Sequence, residues 1–246
     1  MSIGLNPTVR VFTYAERPDL AGPLGEVGNP WPEFILHADV TVVHWRKLAE
    51  ELPELQLVLY DDDGDVVVGR GQTVPASTSN GLPAGVDDLL ECRFGTGPRE
   101  EPDVLSALVA IVDPGRQGEG LSASIINGMR RIAAAAGFRE LIAPVRPTWK
   151  ERYPLTPLER YVHWRRDDGL PFDPWIRLHV RLGAELADVC PESMRVTGTV
   201  AEWEEWTGLL FPDDGHYVVP GALVPVTFEE GIGVYVEPNV WMRHPV

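Results

Sequence analysis

Gln117-Gly118-Glu119-Gly120-Leu121-Ser122 places two glycines and a small hydroxyl where an apolar run, residues 105–112, gives way through Asp113-Pro114-Gly115 to a helical pattern. Amides at the start of a helix have no partner inside it, and the helix dipole favours negative charge there. Glycines let a ligand reach those amides with no Cβ in the way. The chemistry on offer is the binding of a pyrophosphate, with the Ser122 hydroxyl as a further donor. Two familiar phosphate cradles do not fit. The lysine and Ser/Thr of a Walker loop are missing, and position 123 is alanine where a dinucleotide fingerprint needs its third glycine. An ordinary strand–turn–helix junction would read the same, so the local string leaves both readings open.

The elements that position this turn can be read from periodicity and punctuation. Residues 9–14 form an opening strand. Asn29-Pro30 supplies an N-cap and a first-turn proline for a helix over residues 31–52, broken once and ended by Pro53. Strands at 55–60 and 65–73 make a hairpin about Asp61-Asp62-Asp63-Gly64. A loop at 75–83 and a short helix at 87–92 precede the strand at 105–112. The helix over 119–136 carries Leu121, Ile125, Ile126, Met129 and Ile132 on one side and stops at Gly137. An apolar strand at 141–145 follows, then a connection rich in proline and aromatics at 147–174 and a helix at 175–182. Thr199-Val200-Ala201-Glu202 has capping-box spacing and starts another helix. The last strands fall at 217–226 and 233–236. This order predicts one mixed α/β domain over residues 1–246, with an insertion at about 147–174 and a C-terminal extension from about 200.

Composition bounds the function. A chain of 246 residues with 44% hydrophobic residues and eight tryptophans can bury a core. A net charge of -16 speaks against nucleic acid and anionic membranes as partners and, weakly, for a cationic or amine substrate. Cys92 and Cys190 have no ligand spacing around them, so no metal is expected. No signal-peptide pattern and no apolar run of about 18 residues is present, which predicts a cytoplasmic protein.

The wider pattern is similar to the acyl-CoA signature of the GNAT acyltransferases. A strand ends in Val-x-Pro, and Arg/Gln-x-x-Gly-x-Gly/Ala then opens an apolar helix. Gln117 and Gly120 match its first and fourth positions, and Ser122 stands in place of the usual final Gly or Ala. The order of elements over 105–183, the helices and hairpin over 31–73, and the string "RLHVRLGAE" at 177–185 extend the resemblance. The features "DPW" and "EPNVW" also resemble a bacterial subgroup of GNAT-like proteins with a long insertion after the fifth strand. The resemblance implies a mixed, mostly antiparallel central sheet flanked by helices, with splayed middle strands. It also implies acetyl-CoA, or another acyl-CoA, as co-substrate. The main chain of Ala110, Ile111 and Val112 would bind pantetheine, and the amides of Gln117, Gly118, Glu119, Gly120, Leu121 and Ser122 the pyrophosphate. A small-molecule amine would attack the thioester near Val109 and Leu141, with no covalent enzyme intermediate, in a monomer or homodimer.

Roles in acid–base chemistry are expectations of the same kind. His179 stands where the family often has a tyrosine that protonates the departing thiolate, and a reference pKa of about 6.5 suits that task. A helix histidine held by a backbone partner is the structural alternative. Asp103 and Glu33 are candidate bases, though each reads more readily as a solvated or capping residue. Trp31, Phe34 and His37 from the early helix, with Trp149, Trp164 and Trp175 from the long connection, are candidate walls of an acceptor pocket. The same aromatics could simply fasten the insertion. A non-catalytic acyl-CoA-binding module, and a relative that transfers to sulfur or decarboxylates an acyl-CoA, remain alternatives to N-acetyl transfer.

Overall fold

The protein is described by a computed structural model over residues 8–246. Its strands are β1 (Val9–Thr13), β2 (Leu57–Asp61), β3 (Val66–Ala76), β4 (Val104–Val112), β5 (Glu140–Val145), β6 (Glu185–Thr199), β7 (Gly215–Tyr217), β8 (Val226–Glu229) and β9 (Ile232–Pro245). Its helices are α1 (Thr41–Glu51), α2 (Val86–Phe94), α3 (Leu121–Ala135), α4 (Leu158–Tyr161), α5 (Pro174–Arg181) and α6 (Val200–Thr207). The strands join in one sheet, ordered β1-β2-β3-β4-β5-β9-β8-β7, with β6 along β9. Among the described residues only β4 and β5 run parallel; the other pairs are antiparallel. The expected mixed, mostly antiparallel sheet flanked by helices is present. No helix among the described residues is long and apolar enough to cross a membrane.

α3 is the helix behind the glycine turn. Leu121, Ile125, Met129 and Ala133 recur every fourth residue and are all buried, the stripe a helix lays on a sheet. Gly71 on β3 permits the close approach: a Cβ there would stand 2.7 Å from Met129 Cε and 2.8 Å from Ile125 Cγ2.

Several elements depart from the sequence reading. The early helix is a 3₁₀ turn at Glu33–His37 followed by α1. Asn29 caps no helix and instead accepts the Trp31 N–H in a local turn. β6 spans residues to which the sequence reading assigns no element, and β9 runs far past Val236. Pro191 and Pro238 explain the miss. Proline cannot donate to a ladder, and the β6–β9 register shifts between Cys190 and Met194, opposite Pro238. Long-range pairing carries both strands through that break.

Residues 147–174 are fastened by polar anchors and an aromatic cluster. Asp173, 2% exposed, accepts from the N–H groups of Trp149, Trp175 and Ile176 and from the Tyr161 hydroxyl. Buried Lys150 donates to the carbonyls of Tyr153 and Leu223. Trp164 packs on Tyr153, Tyr161 and Phe172 with ring centroids 4.9, 5.1 and 5.6 Å away. Trp164→Ala should therefore cost about 2 kcal/mol of stability. Urea denaturation reads that loss. A rise in acceptor KM at unchanged stability would instead return Trp164 to the substrate pocket.

Candidate active site

The site begins with a defect in the sheet. β3 and β4 pair Gln72 with Val109 but Thr73 with Ala107, so Leu108 is an extra residue that bends β4. β4 and β5 pair only at Leu105↔Leu141 and Ser106↔Ile142. Beyond these the strands part, and the β4 edge from Ala107 to Val112 faces a cleft of about 1280 Å³. Pro144, Val145 and Arg146 form the facing wall. An edge with free main-chain groups can take an extended ligand as an added strand.

At one end of the cleft lies the glycine turn. Gly118 has φ +87° and Gly120, the N-cap of α3, has φ +79°, a region that disfavours side chains. A Cβ at Gly118 would meet nothing within 4 Å. Among the described residues, the amides from Gln117 to Ala123 donate to no protein acceptor. Gln117, Gly118, Gly120, Leu121 and Ser122 line the cleft; Glu119 does not. The Glu119 carboxylate instead accepts from Arg116 Nε at 2.7 Å, and Arg116 Nη1 binds Asp61 at 2.8 Å. The Arg116 hydrogen bonds hold both carboxylates below the usual range. Arg116 itself lines the cleft, so a guanidinium and a row of unpaired amides meet at the start of a fifteen-residue helix. This arrangement fits a pyrophosphate.

The other end is built by α5 and β9. His179 lines the cleft beside Trp175, the two rings edge to face at 4.8 Å. Its Nδ1 lies 2.8 Å from His244 Nε2, while His179 Nε2 and His244 Nδ1 are buried without partners. Burial first, then His244, pushes His179 down to about 3. Burial first, then Arg130, pushes His244 down to about 4. Farther along β9 Glu237, 3% exposed, accepts from Arg146 Nε at 3.0 Å and from the Tyr235 hydroxyl at 3.1 Å. Arg146, Glu237, Asn239 and Gln72 all line the cleft, and buried Gln72 leaves Oε1 unpartnered. No group of His, Cys, Asp and Glu among the described residues is arranged to hold a metal.

No protein-family model matches the chain. A curated protein, arginine N-acetyltransferase avaD of Aspergillus versicolor, is 32% identical over an alignment of 282 residues that takes in 100% of this chain and 97% of the relative. The chain belongs to the GNAT superfamily. It is an acyl-CoA-dependent acyltransferase of that type. Two solved GNAT-like structures share the fold. The loading GNATL domain of CurA from Lyngbya majuscula has a TM-score of 0.56 at 15% identity, covering 96% of this chain and 97% of its own. The GphF GNAT-like decarboxylase, in complex with isobutyryl-CoA, has a TM-score of 0.57 at 15% identity, covering 96% and 98%. The curated relative is fungal, so it lends no support to a bacterial subgroup.

Within this GNAT fold the predicted site residues divide. Ala110, Ile111 and Val112, the glycine turn apart from Glu119, Trp31, Trp175 and His179 reach the cleft. The other candidates do not line it. Asp103 is an ion-pair partner of Arg139 at 2.8 Å and accepts from the Thr78 N–H and hydroxyl. Glu33 pairs with His37 at 3.3 Å, and His37 stacks on Trp206, so both face outward. Phe34, 1% exposed, is core between Trp203 and Tyr235. Trp149 packs on Phe172, and Trp164 belongs to the cluster that holds residues 147–174. His179 reaches the site but is uncharged near neutral pH, which removes the imidazolium donor that its reference pKa suggested. Arg146, Glu237, Asn239 and Gln72 were not among the sequence candidates. For Glu237 and Asn239 the signal was an acid and an amide inside the otherwise apolar "VYVEPNVW" at 234–241.

Proposed function

We propose that this enzyme transfers an acetyl group from acetyl-CoA to an amine nitrogen of a small molecule, with arginine or a related amino compound as acceptor. The carrying observation is the row of unpaired amides from Gln117 to Ala123, opening into the gap between β4 and β5. The main chain of Ala110, Ile111 and Val112 binds the pantetheine arm. The glycine turn and Arg116 hold the pyrophosphate. The thioester supplies the activated acyl group. The splay near Val109 leaves room for a neutral amine to approach from the Trp31 and Trp175 side. His179 acts as an uncharged wall of the site. A thiolate with a reference pKa near 8.5 needs no imidazolium to leave near neutrality. The arginine in the name of the 32% identical relative supports an amino-compound acceptor.

The test is an amine panel, arginine included, assayed for free thiol from acetyl-CoA with mass spectrometry of the product. Thiol release matched by an acceptor gain of one acetyl group is expected. Thiol release that proceeds equally without any amine would overturn the reading in favour of thioester breakdown.

A further inference from the structure

Arg146 and Glu237 form one ion pair on the cleft wall, and each has an edge that the protein leaves unused. Glu237 Oε2 takes Arg146 Nε and the Tyr235 hydroxyl. Glu237 Oε1 has only a long contact, 3.4 Å, to Asn239 Nδ2, which is also engaged by the Pro238 carbonyl. Arg146 Nη2 donates to the Gly221 carbonyl, and Nη1 has no protein partner among the described residues. A carboxylate this deeply buried is costly unless its partners are complete. Here they stop short on the side where both residues line the cleft. Gln72 Oε1, buried and unpartnered on another wall of the same cleft, adds an acceptor oxygen.

An unused anionic edge beside an unused cationic edge matches a ligand that carries the opposite charges side by side. The ammonium and carboxylate on the α-carbon of an amino acid are such a pair. A simple amine would engage Glu237 and leave Arg146 Nη1 empty. On the same cleft, Trp31, Ile35, Trp45 and Trp175 offer apolar surface to side-chain methylenes. We propose that Arg146 and Glu237 select an acceptor of amino-acid type, with its cationic nitrogen at Glu237 Oε1 and its carboxylate at Arg146 Nη1. This rests on the acetyl-transfer reading but concerns recognition, so it can be tested without turnover.

Calorimetric titration of the CoA-loaded enzyme with arginine and with agmatine, which lacks the carboxylate, measures both edges. Wild type should bind arginine at least about tenfold more tightly than agmatine, because a charged hydrogen-bonded contact is lost with the carboxylate. Glu237→Gln should weaken both ligands by about tenfold or more, since it replaces an anion with a neutral amide. CoA affinity, measured on the same variant, should stay at the wild-type value and so reports an intact fold. Equal affinities for arginine and agmatine, or a Glu237→Gln enzyme that binds both as well as wild type does, would overturn the assignment. Absence of acetyl transfer with these selective affinities intact would instead count against the reaction and leave the recognition site standing.

Discussion

Gly120→Glu should abolish the rise in melting temperature that CoA gives the wild-type enzyme. A ligand that binds only the folded state stabilises it by mass action, so the shift reports binding directly. Gly120 is the N-cap of α3 in the left-handed region, at the centre of the amides that donate to nothing in the protein. A glutamate there brings a carboxylate against a bound pyrophosphate. Two unit charges about 5 Å apart at an effective dielectric near 20 repel by roughly 3 kcal/mol, or about 100-fold in Kd. The φ of +79° adds strain to the apo protein, about 1 kcal/mol for a residue with a side chain. The variant should melt slightly lower without ligand and show no CoA-dependent shift. An undiminished shift would place the pyrophosphate elsewhere.

Acid should unfold the protein through its paired histidines. Burial pushes His179 and His244 down to about 3 and about 4, both below the ordinary imidazole value of about 6.5. Groups with depressed basicity in the folded state take up protons on unfolding. Their stabilisation is complete above pH 6.5 and is lost as pH falls from there toward 4. At pH 5 each neutral ring costs the folded state about 2 kcal/mol relative to the protonated unfolded chain. Asp87 runs the other way. Burial first, then Asp39 and Glu91, raises it to about 6 against the pull of the Arg195 N–H, so it returns part of the loss between pH 6 and 4. The net slope should still be a falling melting temperature below pH 6.5, shallower in His244→Gln. The same shifts predict a kcat profile without a limb from His179 between pH 6 and 9. Identical acid slopes for wild type and His244→Gln would show that the pair stays charged in the folded protein.

Some of the site was legible because its requirement is local. Helix start, free amides and absent side chains are properties of six consecutive residues, so Gln117 to Ser122 could be named from the string. Five of those six line the cleft. Glu119 escaped because a string does not reveal that Arg116 turns its carboxylate aside. His179 was legible by position and misleading in charge, since burial depresses it and the His244 ring it meets comes from β9, 65 residues away. The aromatics of 147–174 showed that the connection is ordered but not which ring faces the cleft. Trp175 reaches the cleft, while Trp149 and Trp164 fasten the connection.

The sequence by itself determined the hairpin, the β4–turn–α3 unit, the mixed sheet and the glycine turn at one end of the cleft, because periodicity and glycine conformation act within a few residues. Only the tertiary structure decided the Arg146–Glu237 wall of the cleft. Pro191 and Pro238 hid β6 and β9 from any alternation pattern. The pairing across that break sets Glu237 and Asn239 on the cleft wall, against an arginine that follows β5. Which charges meet there depends on contacts between segments 91 residues apart in the chain, and no short-range rule of propensity reaches that far.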